Sequence, residues 1–191
     1  MSVQSIELKV VSKEDVARIR DWLEDDEIAE AWFGRYSYGD SAHLAYDPLK
    51  AISFSEKKWK EVFEDSDHMI FSVYSGGEHI GEGHLAVEKS LGDGQLSVLI
   101  GRKDLWHKGF GASATDKMIQ IGFQQLELFR IWVDVPEYNK NAINLFKKFG
   151  FIHEGTLRQS RPHDGARFDS VIMGILKNEY VGKLDAHSTD I

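Results

Sequence analysis

Two glycines stand where a predicted strand turns into a predicted helix, and they are the first feature that points to chemistry. Gly109 and Gly111 allow the backbone of this turn to approach a ligand closely. The N-terminus of the helix that follows offers N–H groups without an internal acceptor and a partial positive charge, which together bind anions. Because no cluster of carboxylates accompanies the turn, the segment favours a pyrophosphate over a metal ion, and Lys108 adds a positive charge. In the alternative interpretation, the glycines only form an ordinary turn.

The composition excludes several other classes of function. The chain has 191 residues with 31 acidic and 23 basic side chains, a net charge of −8, whereas binding to nucleic acid needs a basic surface. This charge favours small ligands and mildly favours cationic ones. Cysteine is absent, which excludes a disulfide framework and a thiolate nucleophile. Because neither a signal peptide nor an apolar run of about 18 residues is visible, we expect a cytoplasmic protein without a membrane partner.

Hydrophobic periodicity predicts the elements that must position the turn. Strands are predicted at Ile6–Val11, His68–Tyr74, His79–Glu88, Gln95–Gly101, Phe129–Val135, Phe151–Arg158 and Phe168–Leu176. Helices are predicted from Ser12 through Leu23 and at Asp26–Phe33, Ser55–Glu64, Phe110–Leu126 and Asn139–Phe149. This order predicts a mixed α/β sheet flanked by helices, in one domain over residues 5–180 with a tail at 181–191. The segment Gly34–Ser53 is expected to be a long loop, and loops of that length are usually functional.

Three segments resemble landmarks of one enzyme family. The turn Trp106-His107-Lys108-Gly109-Phe110-Gly111 resembles the acetyl-CoA motif Q/R-x-x-G-x-G/A of the GNAT N-acetyltransferase superfamily. The segment from Asn139 to Gly155 resembles the later landmark N-x-x-A-x-x-L-Y-x-K-x-G-F-x-x-E-G, and Gly165 to Leu176 resembles the closing segment. With Trp106 in place of Gln or Arg, the motif resembles that of the RimJ/RimL-like subgroup, which includes N-terminal acetyltransferases of ribosomal proteins and spermidine acetyltransferases.

The resemblance implies a GNAT fold, whose mostly antiparallel sheet is splayed at the acetyl-CoA site, and direct acetyl transfer to a primary amine. It assigns the backbone N–H groups of Leu99, Ile100 and Gly101 to the pantetheine arm and the thioester carbonyl. Asn139 is expected to hydrogen-bond the pantetheine arm; alternatively, it is only the N-cap of its helix. The pyrophosphate is expected on the backbone of the turn, at His107, Lys108, Gly109, Phe110, Gly111 and Ala112.

One position departs from the pattern of the family. The family often places a tyrosine seven residues after the landmark asparagine as the general acid, and this position is Phe146 here. Phe146 cannot donate a proton, so it is expected to pack beside the cofactor or in the core. A CoA thiolate is a good leaving group, with a thiol pKa near ~8.5, so the reaction does not require this acid.

A general base is needed because an alkyl ammonium, with a pKa near ~10, must lose a proton before it attacks. Glu82 and His84 are two residues apart on a predicted strand and therefore share a face. Ser97 on the next strand is a second candidate, acting through a water molecule. In the alternative interpretation, Glu82 and His84 lie on a solvated face of the sheet. His79, five residues from His84, is expected on the opposite face, so no metal site is predicted.

Acidic and aromatic residues near the first two helices are candidates for the acceptor site. Asp25, Asp26, Glu27 and Glu30 form an acidic run that would attract a cationic amine, chiefly through Asp25 and Asp26, or would otherwise form only a solvated helix face. Trp32 and Tyr36 are expected to wall the pocket, although Trp32 would serve equally well in the core. The acceptors left open are a protein N-terminus, a polyamine, an aminoglycoside and an amino sugar on a nucleotide.

A function of another class also stays open at this point. Phe146 and the unproven base leave room for a catalytically silent protein that binds acyl-CoA as a sensor or scaffold. Exposed aromatic residues, and the oligomeric state usual in the family that the chain resembles, favour a homodimer.

Overall fold

The computed structural model describes residues 4–32, 46–163 and 165–180. These residues form one seven-stranded sheet in the order β1-β2-β3-β4-β5-β7-β6. The strands are β1 (Glu7–Val10), β2 (His68–Ser75), β3 (Glu78–Glu88), β4 (Asp93–Ile100), β5 (Arg130–Pro136), β6 (Ile152–His163) and β7 (Ala166–Leu176). The helices are α1 (Lys13–Leu23), α2 (Asp26–Trp32), α3 (Pro48–Ala51), α4 (Glu56–Phe63), α5 (Phe110–Gln120) and α6 (Lys140–Phe149). The predicted mixed sheet with flanking helices is confirmed.

Most neighbouring strands of the described sheet run antiparallel. β4 and β5 run parallel and pair only over Asp93–Gln95 and residues 130–132. A parallel pair needs a crossover connection, and here α5 and the π-helical turn Ile121–Gln125 provide it. The helix predicted to run to Leu126 therefore ends in this wider turn.

Different helices cover the two faces of the sheet. On one face, Met118 of α5 and Phe146 of α6 belong to a large core that includes Leu85 of β3. On the other face, Ile19 of α1 packs in a second core with Leu99 of β4. Because side chains alternate along a strand, Glu82 and His84 of β3 and Ser97 of β4 lie on the face that α1 and α2 cover.

Local sequence signals account for the ends of the helices. Ser12 and Asp15 form the predicted capping box, with N–H to side-chain oxygen distances of 3.1 Å in both directions. Within the predicted loop Gly34–Ser53, Asp47 caps α3 and Pro48 occupies its first turn, where the fixed φ of proline suits a helix. The loop prediction is therefore wrong for this part, and residues 33–45 lie outside the described residues. No helix of the described ranges is long and apolar enough to cross a membrane.

Candidate active site

A gap opens in the sheet between β4 and β5. Their pairing stops at Gln95 and Trp132, whereas β4 continues to Ile100 and β5 continues to Pro136. A strand edge without a neighbouring strand presents a row of backbone N–H and C=O groups. The gap therefore offers main-chain groups to an extended ligand, as expected of the splayed sheet.

The direction of the N–H groups of β4 decides which of them can reach this gap. The N–H of Gly101 donates to the carbonyl of Ile80 at 3.0 Å, toward β3. Since N–H groups alternate in direction along a strand, that of Leu99 also points to β3, whereas those of Val98 and Ile100 point into the gap. The prediction is therefore wrong for Leu99 and Gly101 as donors and stands for Ile100. Val98 was missed, although the hairpin register would have identified it.

The turn before α5 is built to leave backbone N–H groups without partners in the helix. Gly109 is the N-cap, with φ of 95° in the left-handed region that favours glycine, and it makes no side-chain cap. The first hydrogen bond of the helix runs from the N–H of Ser113 to the carbonyl of Gly109 at 3.0 Å. The N–H groups of Phe110, Gly111 and Ala112 therefore have no acceptor inside the helix.

The same turn keeps space for an anion. A Cβ built on Gly111 would come no closer than 3.8 Å to Ile100 Cγ1, so the small residue leaves open space instead of relieving a clash. His107 has φ of 60° and, like Lys108, is exposed. The carbonyl of Lys108 accepts from Gln4 Nε2 at 3.0 Å, which ties the N-terminal segment to this turn. An uncapped helix start, two glycines and a lysine fit the pyrophosphate of CoA.

Asn139 and Phe146 have roles in the architecture. Asn139 Oδ1 accepts the N–H of Ala142 at 3.1 Å, and Nδ2 donates to the carbonyl of Ala31 at 2.8 Å. The N-cap interpretation of Asn139 is confirmed, and one of the two Nδ2 protons is engaged with Ala31. Phe146 is 7% exposed and packs on Phe151 with ring centroids 5.1 Å apart. Phe146 is thus a core residue.

Four side chains from separate parts of the chain form a buried row: Tyr46, Glu82, His84 and His68. His84 Nε2 lies 2.7 Å from Glu82 Oε1, and the two residues are 2% and 0% exposed. The solvated-face interpretation of this pair is therefore wrong. Tyr46 Oη donates to both carboxylate oxygens at 2.8 Å, and His68 Nε2 lies 3.1 Å from His84 Nδ1. Sequence spacing could not find Tyr46 or His68, because tertiary packing brings them to this face.

Burial controls the ionisation of the buried row. Burial raises the pKa of Tyr46 well above its usual value and the Glu82 carboxylate adds to this effect, so Tyr46 remains a donor. Burial also lowers the pKa of His68 to about 4, with a further contribution from His84. His68 is therefore neutral near pH 7.

A second buried polar cluster lies between α1 and the sheet. Asp15 is 1% exposed and accepts from Ser72 Oγ at 2.9 Å and from Tyr74 Oη at 2.7 Å. Burial acts to raise the pKa of Asp15, but hydrogen bonds from Tyr74 and Ser12 outweigh it and the pKa is lowered. His79 Nδ1 lies 3.5 Å from Asp15 Oδ1.

His79 lies on the same face of the sheet as His84, contrary to the prediction. β3 carries one extra residue, Ile80, opposite β2, and such a bulge shifts the alternation of side chains. The ring of His79 accordingly meets Trp22 of α1 at 4.9 Å, and the ring of His84 meets Trp32 of α2 at 5.3 Å. Among the described residues, no group of three or more His, Asp or Glu side chains is placed to hold a metal ion.

Asp25, predicted for the acceptor site, is engaged in the structure of α2. Its Oδ1 accepts the N–H of Glu27 at 3.0 Å and lies 2.7 Å from Lys103 Nζ. The hydrogen bond from Lys103 lowers the pKa of Asp25. The lysine thus already neutralises the charge predicted to attract an amine, which favours the helix-face interpretation of Asp25.

The four other residues predicted for the acceptor site and the base lie in different surroundings. Asp26 is exposed in the first turn of α2, and Tyr36 lies outside the described residues. Trp32 is 7% exposed and packs edge-on against His84, so it supports the buried row instead of walling an open pocket. Ser97 is half-buried and pairs with His84 across the β3–β4 ladder. Ser97 therefore lies between the buried row and the gap.

The structure adds a carboxylate that lies above the gap. Glu30 Oε2 lies 2.7 Å from His163 Nδ1 and accepts from Tyr138 Oη at 3.3 Å. Ile28 and Ala29 of the same helix share a core with Leu99 of β4, so α2 bridges from β4 to the residues that follow β5. Glu30 was part of the acidic run but not a predicted site residue, and no local signal identifies its partners.

Comparison with known proteins is consistent with this architecture. The uncharacterized N-acetyltransferase p20 of Bacillus licheniformis is 33% identical over 96 residues, which are 50% of this chain and 53% of that protein. The spermidine N(1)-acetyltransferase of Escherichia coli K12 is 22% identical over 182 residues, 95% of this chain and 91% of that protein. The solved spermidine N-acetyltransferase of Vibrio cholerae in complex with CoA and spermine has a TM-score of 0.75 at 20% identity, covering 92% and 98% of the chains.

The family model described as an acetyltransferase (GNAT) domain matches residues 5–152. This match includes the gap, the glycine turn, the buried row and α2. It confirms the predicted family and, with it, the predicted class of acyltransferase that uses acetyl-CoA. The chain belongs to the GNAT acetyltransferase family.

Proposed function

We propose that this protein transfers the acetyl group of acetyl-CoA directly to a primary amine, within a single domain over residues 5–180 with a tail at 181–191. The observation that carries the proposal is the gap between β4 and β5, which leads to the uncapped start of α5. Bound acetyl-CoA supplies an activated thioester there. Positioning the thioester and the amine side by side supplies much of the rate in such reactions.

Main-chain groups hold the cosubstrate in this proposal. The N–H groups of Phe110, Gly111 and Ala112 bind the pyrophosphate, with Lys108 and His107 at the rim of the turn. The N–H groups of Val98 and Ile100 line the gap and would polarise a carbonyl placed there, which is how an oxyanion hole acts. The side chains of Asn139 and Phe146 support this region through the helix that they begin and anchor.

Glu82 acts as the general base, with His84 hydrogen-bonded to it. Their contact of 2.7 Å and their position one strand from the gap support this role. Ser97 lies between the pair and the gap, where it would hold a water molecule that relays the proton. An ionised carboxylate accepts a proton from an ammonium group only when that group is close, so the water is part of the proposal.

The acceptor is a small cationic amine of the polyamine kind. The carboxylate of Glu30 above the gap supports it, as does the spermidine N(1)-acetyltransferase, which aligns over most of this chain. A protein N-terminus, as in the RimJ/RimL-like subgroup, is the competing acceptor. Asp26 is retained as a candidate at the rim, whereas Asp25 is engaged with Lys103.

Two further parts of the proposal concern assembly and location. The edge strand β6 exposes Ile152 and Leu157, at 58% and 49%, and this apolar surface supports a homodimer, which sedimentation analysis tests directly. The absence of cysteine suits a reducing compartment and supports a cytoplasmic location.

Calorimetric titration with acetyl-CoA, with desulfo-CoA and ATP as controls, tests the proposal first. We expect micromolar binding that is selective for the CoA moiety, followed by thiol release when an amine is added. The amines to compare are spermidine, an aminoglycoside and a short peptide with a free α-amino group. Binding without thiol release from any amine would support the silent acyl-CoA binder, and equal binding of ATP would show that the glycine turn does not recognise CoA.

A further inference from the structure

The buried row contains a histidine that the proposed chemistry does not use. His68, at the start of β2, is half-buried, whereas Tyr46, Glu82 and His84 are buried. The row runs by hydrogen bonds from Tyr46 through Glu82 and His84 to His68, with distances between 2.7 and 3.1 Å. A polar row of this kind is costly in a core, because each member must find a partner or lose its hydration without compensation.

The partners along the row select one arrangement of protons. Tyr46 donates its single proton to Glu82, which suits an ionised carboxylate. His84 then donates from Nε2 to Glu82 Oε1, and a neutral imidazole with its proton on Nε2 has an acceptor at Nδ1. His68 Nε2 lies 3.1 Å from that acceptor. A neutral His68 with its proton on Nε2 completes the row, with every contact between one donor and one acceptor.

The side chains that face the buried row are compatible with this arrangement of protons. Among the described residues, the titratable and charged groups that face it are Asp65 beside His68, and Asp15 and His79 on the side of Tyr46 and Glu82. Trp32 packs its ring on His84 from α2, and β4 contributes the hydroxyl of Ser97 opposite His84. Neither of these last two groups carries a charge, and His68 Nε2 lies at hydrogen-bond distance from His84 Nδ1, at 3.1 Å.

We propose that His68 is a positioning residue for the general base: its N–H holds His84 in the Nε2–H form, and this form keeps Glu82 ionised and ready to accept a proton. The inference rests on the proposed function. Over the reaction, two N–H bonds of the acceptor ammonium break as the C–N bond forms and the C–S bond breaks. One proton ends on the sulfur of CoA and the other is released to water. Glu82 is the first group to receive a proton from the ammonium.

Substitutions that separate the hydrogen bond from the shape of the ring test the proposal. His68→Phe keeps an aromatic ring but removes the donor, and His68→Gln keeps an N–H that reaches His84. Without the donor, His84 moves its proton to Nδ1 or becomes protonated, and the pair with Glu82 holds a proton up to a higher pH. We expect His68→Phe to lower kcat at pH 7 by about tenfold and to shift the acidic limb of the kcat–pH profile upward by about one unit.

Three observations separate this role from a structural one. First, KM for acetyl-CoA stays unchanged in His68→Phe. Second, His68→Gln retains a kcat–pH profile near that of the wild type. Third, His153→Phe, at an exposed position on β6, changes neither this KM nor the kcat–pH profile. An unshifted profile in His68→Phe, or equal losses in the Phe and Gln variants, would overturn the proposal.

NMR of ¹⁵N-labelled histidine gives a second readout that needs no turnover. We expect His84 in the Nε2–H form in the wild type and in His68→Gln, and in the Nδ1–H or doubly protonated form in His68→Phe. A His84 signal that is the same in all three proteins would show that His68 does not select the tautomer. A wild-type chain that acetylates no amine would instead overturn the proposed function, and the NMR result would still decide the hydrogen-bond arrangement.

Discussion

The proposed cofactor end of the gap presents main-chain groups, whereas the proposed acceptor end depends on carboxylates that other side chains hold. At the turn before α5, Gly109 and Gly111 have no side chain, so the backbone N–H groups form the binding surface. At the other end, Glu82 and Glu30 come from different elements and are each held by a histidine and a tyrosine. The cofactor end therefore depends on local backbone shape, and the acceptor end depends on protonation and on the packing of distant segments.

The largest effect is expected from Glu82→Gln, which keeps the shape of the side chain and removes the base. We expect kcat to fall by about 100-fold to 1000-fold, which is the share that a general base supplies. The affinity for acetyl-CoA, measured by calorimetry, should stay within about twofold, because the carboxylate lies one strand away from the gap. A parallel loss of cofactor affinity would contradict the separation of the two ends.

A negative charge at the cofactor end should lower the affinity for acetyl-CoA, which is the quantity that Glu82→Gln leaves nearly unchanged. Gly111→Asp has room for its Cβ, and an acidic residue in the first turn of a helix favours the fold. We expect acetyl-CoA affinity to fall by about 100-fold, because the carboxylate takes the place of the pyrophosphate and repels it. Gly111→Asn, with nearly the same shape and no charge, is the matched control and should lose less. Equal losses in both variants would assign the effect to bulk.

The cluster around Asp15 should contribute to stability and not to catalysis. We expect Asp15→Asn to lower the free energy of unfolding by about 2 kcal/mol at pH 7 in urea titrations, since it weakens several buried hydrogen bonds. The pKa of Asp15 is lowered in the folded state, so its contribution is present above the unfolded pKa of about 3.9. That contribution is lost as the pH falls through the lower folded pKa. The difference between wild type and variant should therefore shrink in acid, and a constant difference would contradict this assignment.

The smallest effects are expected at the two carboxylates assigned to the acceptor site, Glu30 by our proposal and Asp25 by the sequence prediction. We expect Glu30→Gln to raise KM for spermidine by about fivefold, as expected for the loss of one partly screened charge. Asp25→Asn should leave KM within about twofold, because Lys103 already pairs with Asp25. KM of each variant is measured for spermidine and, as the control, for a neutral amine. A larger effect of Asp25→Asn would restore the acceptor site predicted from the sequence.

The accuracy of the sequence predictions differs between the same two ends. The glycine turn and the capping box were predicted correctly in their conformation, because Gly109, Gly111 and Ser12 act through their own backbone and that of the next few residues. Two of the three donors assigned on β4, Leu99 and Gly101, point to β3 instead, since the direction of an N–H depends on the neighbouring strand. His79 was placed on the wrong face because the bulge at Ile80 leaves no clear signal in a single sequence.

The acceptor end illustrates the limit most clearly. The pair Glu82 and His84 could be proposed from its spacing, but its burial comes from Tyr46 and Trp32. Of these, Tyr46 lies 36 residues before Glu82 in the chain. Glu30 could be noticed as acidic, but its contact with His163 joins residues 133 positions apart. Contacts over such distances follow from the arrangement of the whole sheet and leave no local periodicity.

The sequence by itself determined the order of the elements, the family and the glycine turn, because these depend on hydrophobic periodicity and on the conformational preferences of single residues. The tertiary structure alone decided which N–H groups face the gap, which carboxylates lie above it and which histidine supports Glu82. These features require strands and helices from distant parts of the chain to be in register, and a buried polar group is defined only by the partners that packing brings to it.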